Sequence, residues 1–337
     1  MAEEADDTVL IRGIARPSAP RRRRAGWWAC AATVLAATVG GVAWQTWPHG
    51  QAPRPAVPER APLPRPATEA EILADAPDQL AAYRFASQPT VVVLQFPTLA
   101  EQGRALNRVA ALLEKHGFPR DRVLDDGELE RRIRAAGAAP ETFYYGHDYR
   151  ARDLQRFFAL ADEAGTALTE EERRLRGLLL RWGAAPGWTE NGALISLVRL
   201  HPGAGLDAAA RAAILRHELS HGLYFTSPDY AAHARRFWRE ALTDEDRRAF
   251  TAFLAAEGYD TGIADLVANE TQAYLMHTRD ARYFSAASLG MPERRLAELQ
   301  ALFLSGMPLG WLRDGTPAPA LPDSAVNAAG WSARREQ

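Results

Sequence analysis

Cysteine is almost absent from this chain of 337 residues, in which Cys30 is the only one. An intrachain disulfide is therefore excluded, and so is a zinc cage built from several thiolates. Lysine is equally scarce: Lys115 stands alone among 40 basic residues, which reflects coding composition rather than function. A charge excess is also missing, since the formal net charge is -2. The chain as a whole thus offers no electrostatic basis for binding nucleic acid.

One long segment contains no charged residue. It covers residues 25–47, directly after four arginines at 21–24, and has paired tryptophans near each end. A membrane-spanning helix needs about 20 apolar residues, and tryptophans concentrate at the two membrane interfaces. We therefore expect a single-pass anchor in the cell inner membrane, with a cleaved signal peptide as the alternative. The arginine cluster predicts a cytoplasmic N-terminus and a periplasmic or extracellular remainder.

The rest of the chain predicts a mostly helical α+β fold with a small sheet. Capping signatures begin at Thr68, Thr98 and Thr169, each with glutamate three residues later. Strands are expected at 90–96 and 193–200. Helices are expected at 68–86, 98–116, 127–136, 149–164, 170–182, 207–225, 228–241, 244–257, 263–278 and 292–304.

The expected domain organisation has five parts. The folded domain is assigned to 68–315, in which 68–190 forms an N-terminal lobe of unknown role and 191–315 carries the candidate metal site. The other parts are a cytoplasmic tail at 1–24, the membrane anchor at 25–47, a proline-rich linker at 48–67 and a C-terminal tail at 316–337.

The chemistry is indicated by one motif inside the predicted helix 207–225. His217-Glu218-Leu219-Ser220-His221 matches H-E-x-x-H. Residues four apart share one face of a helix, so both imidazoles can bind one metal ion. Glu218, beside the first of them, is placed to take a proton from water as a general base. Zn²⁺ is the expected metal.

A catalytic zinc site needs a third protein ligand and an open position for water. The metzincin extension is excluded, because Tyr224 and Ser227 occupy the positions where it requires glycine and histidine. Glu270 is the preferred candidate, in the predicted helix 263–278, and Asp265 is its main rival. The other acidic rivals are Asp229, Glu240, Asp244, Glu245, Asp246, Glu257 and Asp260.

Two further side chains lie on the helical face of Glu270. Tyr274 and His277 follow it by four and seven residues, and either can serve as a donor to a developing oxyanion or pack in the core. His147 and Asp148, at the start of the predicted helix 149–164, are interpreted as an N-cap arrangement. The adjacent Tyr144 and Tyr145 are interpreted as packing residues.

The pair HELSH and NETQAYLM, at 217–221 and 269–276, resembles the gluzincin zinc peptidases. The resemblance covers about residues 190–280 and extends to no narrower family. It implies His217, His221 and Glu270 as ligands and Glu218 as general base. It also implies a zincin-like fold in which the strand 193–200 is the edge strand that pairs with an extended peptide.

The function expected from these features is a membrane-anchored zinc metallopeptidase that acts on a peptide or protein substrate. Two alternatives stay open. One is a metal-binding or scaffold protein of the cell envelope without turnover. The other is a zinc hydrolase of a non-protein envelope substrate.

Overall fold

A computed structural model describes residues 63–182, 191–200 and 206–317. The expected N-terminal tail and anchor, most of the linker and nearly all of the C-terminal tail lie outside these ranges. Within them, no helix has the length and apolar character that crossing a membrane requires. The fold is α+β and mostly helical, as the sequence predicts, with one small mixed sheet.

The sheet has five strands in the order β1-β2-β3-β5-β4. Strands β3 and β5 run parallel at its centre and are buried along their whole length, which explains their continuous apolar sequences. Strand β4 pairs antiparallel with β5 and forms the edge beside the motif helix. The strands are β1 (Arg65–Ala67), β2 (Ala81–Phe85), β3 (Val91–Phe96), β4 (His147–Arg150) and β5 (Ala193–Val198).

The first half of the domain departs from the predicted elements in two places. The expected helix 68–86 ends at Ala74, and the residues from Ala81 to Phe85 form strand β2 instead. Pro77 interrupts the helical pattern, and antiparallel pairing with β3 overrides the helical preference of the alanines. The sheet also includes Arg65–Ala67, which the sequence assigned to the linker, as a parallel neighbour of β2.

The helices between residues 99 and 306 agree closely with their predicted positions, whereas the short helix at 311–314 was not predicted. In chain order, the helices are α1 (Glu69–Ala74), α2 (Leu99–Leu113), α3 (Asp126–Ala135), α4 (Ala151–Glu163), α5 (Glu170–Trp182), α6 (Ala208–Thr226), α7 (Pro228–Arg236), α8 (Asp244–Ala256), α9 (Ala264–Gln272), α10 (Glu293–Gly306) and α11 (Trp311–Asp314). Helices α7 and α9 each continue into a π-helical turn, at Phe237–Ala241 and Ala273–His277. Short 3₁₀ turns occupy Pro140–Thr142 and Ala286–Leu289.

Helix α6 carries the motif and lies between two apolar clusters. Ile214, Leu215 and Leu219 pack into the cluster around the sheet, and Tyr224 packs into the cluster formed by the later helices. Gly222 lets this helix approach the sheet closely, because a Cβ there would lie only 2.9 Å from a methyl group of Val91. The motif histidines are therefore held at the junction of the two clusters.

Candidate metal centre

Three potential ligand atoms converge between helices α6 and α9. The Nε2 atoms of His217 and His221 are 3.0 Å apart, and each lies 3.7 Å from Oε2 of Glu270. Atoms about 2.1 Å from a tetrahedral zinc ion are about 3.4 Å apart, so the three distances in the structure bracket the expected value. The structure thus brings together the three predicted ligands.

The three side chains are withdrawn from bulk water. His217 is 9% exposed, His221 0% and Glu270 1%. Burial, reinforced by neighbouring charges, lowers the pKa of His217 well below 6.5, and burial lowers that of His221 to about 4. Both rings are therefore neutral near pH 7, which is the form that binds metal.

The pKa of the Glu270 carboxyl group is shifted in the opposite direction. Burial and the nearby Glu114 raise its pKa, against a hydrogen bond from Tyr259 and the positive charge of Lys115. Its Oε2 atom is buried and accepts no hydrogen bond among the described residues. Such an atom is costly unless a cation faces it. Two neutral imidazoles and one carboxylate form the donor set of a divalent transition-metal site, and a Zn²⁺ ion fits them.

The π-helical turn after α9 orients the first histidine. It brings Oγ1 of Thr278 to 2.7 Å from Nδ1 of His217, and the same hydroxyl lies 3.2 Å from the carbonyl oxygen of Ala273. The hydroxyl donates to that carbonyl, so it accepts a hydrogen bond from Nδ1–H. This arrangement assigns the tautomer that leaves the lone pair of Nε2 facing Glu270. The extra residue of the π turn thus has a positioning role.

Asp265, the main rival of Glu270, has a different role. Its carboxylate accepts from Tyr224 at 2.6 Å, from Arg235 at 2.7 Å and from Arg150 at 3.1 Å. These three donors belong to α6, α7 and β4. Asp265 therefore ties the first turn of α9 to its neighbours, which fixes the helix that carries Glu270.

Glu218, the expected general base, is 6% exposed and packs against the backbone of Gly146. A Cβ at position 146 would lie 2.7 Å from Cδ of Glu218 and 2.9 Å from its Cγ. Burial, with Glu270 and Glu114 nearby, raises the pKa of Glu218. Its Oε2 atom is buried and has no hydrogen-bond partner in the described part of the chain.

Asp148 is the site residue that the sequence analysis missed. It lies on strand β4 rather than at a helix cap, and the N-cap of α4 is Arg150 without a side-chain hydrogen bond. Oδ2 of Asp148 is 3.7 Å from Nε2 of His221. The interpretation of His147 and Asp148 as an N-cap arrangement is therefore wrong. Only the pairing of β4 with β5 reveals the position of Asp148.

The edge strand of the sheet is also not the one that the resemblance implied. Strand β5 is paired on both sides, with β3 and with β4, so it cannot receive a peptide. The edge beside α6 is β4, and no strand of the described residues pairs with its outer side. The expectation that 193–200 forms the edge strand is wrong, because β4 pairs with β5 on that side. Strand β4 has only four residues, which is too short for a periodic sequence pattern to predict it.

A narrow cavity of about 40 Å³ opens onto the site. Tyr274 lines it, with its ring centroid 4.7 Å from that of His217. Tyr144, Tyr145 and Tyr259 also line it, and all three pack in the apolar clusters, as the sequence predicts for the first two. His277 does not lie there: its Nε2 is 3.1 Å from the hydroxyl of Tyr230, in the core behind the site. The structure therefore leaves Tyr274 as the better placed of the two predicted donors.

No family model, curated protein or solved structure matches the chain.

Proposed function

We propose that this protein is a zinc-dependent metallopeptidase with a zincin-like fold, resembling the gluzincins. The observation that carries the proposal is the convergence of His217, His221 and Glu270, buried and with Oε2 of Glu270 lacking a hydrogen-bond donor among the described residues. Glu218 beside them supports hydrolysis rather than structural metal binding, because a structural site has no need of a general base.

The roles of the residues follow from their positions. The two histidines and Glu270 would hold the ion, which when bound supplies Lewis acidity that polarises a carbonyl group and acidifies water. Glu218 receives a proton at its carboxylate and passes it to the leaving amine. Its raised pKa favours retention of that proton between the two transfers. Tyr274 is the proposed donor to the developing oxyanion.

Strand β4 supports a peptide as the substrate class. Its outer side is unpaired within the described ranges, and the strand contacts α6, so an extended chain added to the sheet there would lie near the motif helix. The cavity has room for roughly three water molecules. The membrane anchor and the periplasmic location remain proposals from the sequence.

The experiment compares full-length, zinc-loaded protein with its Glu218→Gln variant on an unfolded protein substrate. We expect cleavage that a chelator abolishes and zinc restores. The variant should lose about 10²- to 10⁴-fold in kcat while its zinc content is unchanged. Glu245→Gln, at an exposed acid of α8, is the matched control and should behave as wild type. Zinc binding without any cleavage would instead favour the metal-binding scaffold protein.

A further inference from the structure

Lys115, the only lysine of the chain, is buried among aromatic rings near the candidate metal centre. It is 5% exposed, whereas a lysine ordinarily keeps its ammonium group in water. Its Nζ atom lies 4.2 Å from the ring centroid of Tyr144, 4.9 Å from that of Phe143 and 5.4 Å from that of Tyr259. Nζ also donates a hydrogen bond to the carbonyl oxygen of Glu257 at 3.2 Å. The attraction between the cation and the ring faces offsets part of the cost of its burial.

The backbone brings Lys115 to this position from the end of helix α2. Lys115 forms an isolated antiparallel bridge with Tyr259. The amide of His116 donates to the carbonyl oxygen of Gly258 at 3.1 Å. Gly258 has a φ of +84°, which favours glycine, and a Cβ there would lie 3.3 Å from Nζ of Lys115. The end of α2 is thus joined through the backbone to the turn that carries Tyr259.

The rings around Lys115 belong to two separate segments of the chain. Phe143 and Tyr144 lie just before strand β4, whereas Tyr259 follows helix α8. Tyr144 and Tyr259 both line the cavity of the site, and their ring centroids are 6.4 Å apart. The ammonium group lies within cation–π distance of rings from both segments, so it holds the two segments together.

Tyr259 connects this cluster to a proposed metal ligand. Burial raises the pKa of the Glu270 carboxyl group, and a hydrogen bond from the Tyr259 hydroxyl group opposes that shift. A donor to a ligating carboxylate fixes the orientation of that carboxylate toward the ion. Oε2 of Glu270, which lies 3.7 Å from Nε2 of each histidine, accepts no hydrogen bond within the described ranges and stays available to an ion.

We propose that Lys115 is a positioning residue of the candidate metal centre. It holds the turn that carries Tyr259 against the segment of Phe143 and Tyr144, and thereby keeps the Tyr259 hydroxyl group on Glu270. The inference rests on the proposed function, in which Glu270 binds zinc. Without the ammonium group, Tyr259 can move away from the carboxylate, so zinc binding weakens although Lys115 is not a ligand.

The test measures zinc affinity of the full-length, metal-free protein by chelator competition, together with unfolding in urea. Lys115→Met keeps an unbranched side chain without the ammonium group, and its zinc affinity should be lower by about tenfold. Tyr259→Phe keeps the ring, lacks the hydroxyl group and should lose about 10- to 100-fold. Arg176→Met is the matched control, because Arg176 lies over the ring of Phe158 at 5.7 Å, in helix α5. Its zinc affinity should stay within about twofold of wild type.

The double variant separates positioning from a direct effect of charge. The positive charge of Lys115 also acts on the Glu270 carboxyl group itself, and that effect would persist without the Tyr259 hydroxyl group. Positioning through Tyr259 predicts the reverse: in Tyr259→Phe protein, Lys115→Met should lower zinc affinity by no more than about twofold. Tyr144→Leu keeps Lys115 and removes the opposite ring, so it should weaken zinc binding only where the Tyr259 hydroxyl group is present. This variant carries the test if Lys115→Met does not fold.

Three results would overturn the inference and leave the proposed function standing. They are wild-type zinc affinity in Tyr259→Phe, losses that add in the double variant, and wild-type zinc affinity in Lys115→Met with a lower free energy of unfolding, which would show a purely structural role. A wild type that binds no zinc would overturn the proposed function, and this inference with it.

Discussion

Replacing Gly146 by alanine tests how the candidate general base is held. The backbone at this position is not among those with positive φ, so alanine is tolerated there by the main chain. The new Cβ would meet Cδ of Glu218 at 2.7 Å, whereas ordinary contacts begin near 3.4 Å. The carboxyl group must therefore move by about 1 Å or force the loop to move.

A misplacement of that size has a predictable cost. A shift of about 1 Å in a catalytic group lowers the rate by about 10²-fold, and overpacking lowers the free energy of unfolding by about 1–3 kcal/mol. Zinc affinity should change little, because Glu218 is a base and not a proposed ligand. The assays are kcat for cleavage of an unfolded protein, zinc affinity and urea unfolding, all on the full-length chain.

Gly127→Ala is the matched control for this experiment. Its Cβ meets only the ends of flexible side chains, Arg131 at 3.1 Å and Asp125 at 3.3 Å, and it lies far along the chain from the motif. We expect wild-type activity from it. Full activity of Gly146→Ala would refute the reasoning, because it would mean that the observed position of Glu218 is not the one that catalysis needs.

Three further predictions concern metal affinity and stability. Thr278→Val removes the acceptor for Nδ1 of His217 and should weaken zinc binding by about 10- to 100-fold in a chelator competition, whereas unchanged affinity would remove this positioning role. Zinc affinity should rise with pH above the range in which a free glutamate titrates, because burial raises the pKa of Glu270, whose proton the ion must displace, while the histidines are already neutral; a flat calorimetric profile would contradict this. Glu172→Gln leaves the buried Arg108 without its ionic partner and should lower the free energy of unfolding by about 3–5 kcal/mol in urea, and a loss below about 1 kcal/mol would argue against a buried pair.

The histidine pair of the site could be predicted from the sequence, because helical geometry alone brings the two side chains together. His217 and His221 are one turn apart, so the motif predicts their shared face without knowledge of the fold. Glu270 lies 49 residues after His221, and its choice over Asp265 depended on the resemblance to the gluzincins. The structure supports that choice, because Glu270 lies beside the histidines. Asp265 instead accepts hydrogen bonds from side chains of three neighbouring elements.

The parts that sequence reasoning missed depend on pairing between distant segments. Strand β2 is rich in alanine, which favours a helix, and only its antiparallel pairing with β3 explains its extended conformation. Strand β4 has four residues, too few for a periodic signal, so Asp148 was interpreted as a cap. Because this short strand pairs with β5, the edge of the sheet is β4, which lies next to the candidate site.

Metal content measures the central claim most directly. Full-length wild type, Glu270→Gln and Asp265→Asn should be loaded with zinc, dialysed and analysed for ions per chain. We predict one ion in the wild type and in Asp265→Asn, and a loss of zinc affinity of more than about tenfold in Glu270→Gln. A wild type without zinc, or zinc lost with Asp265 and kept without Glu270, would contradict it.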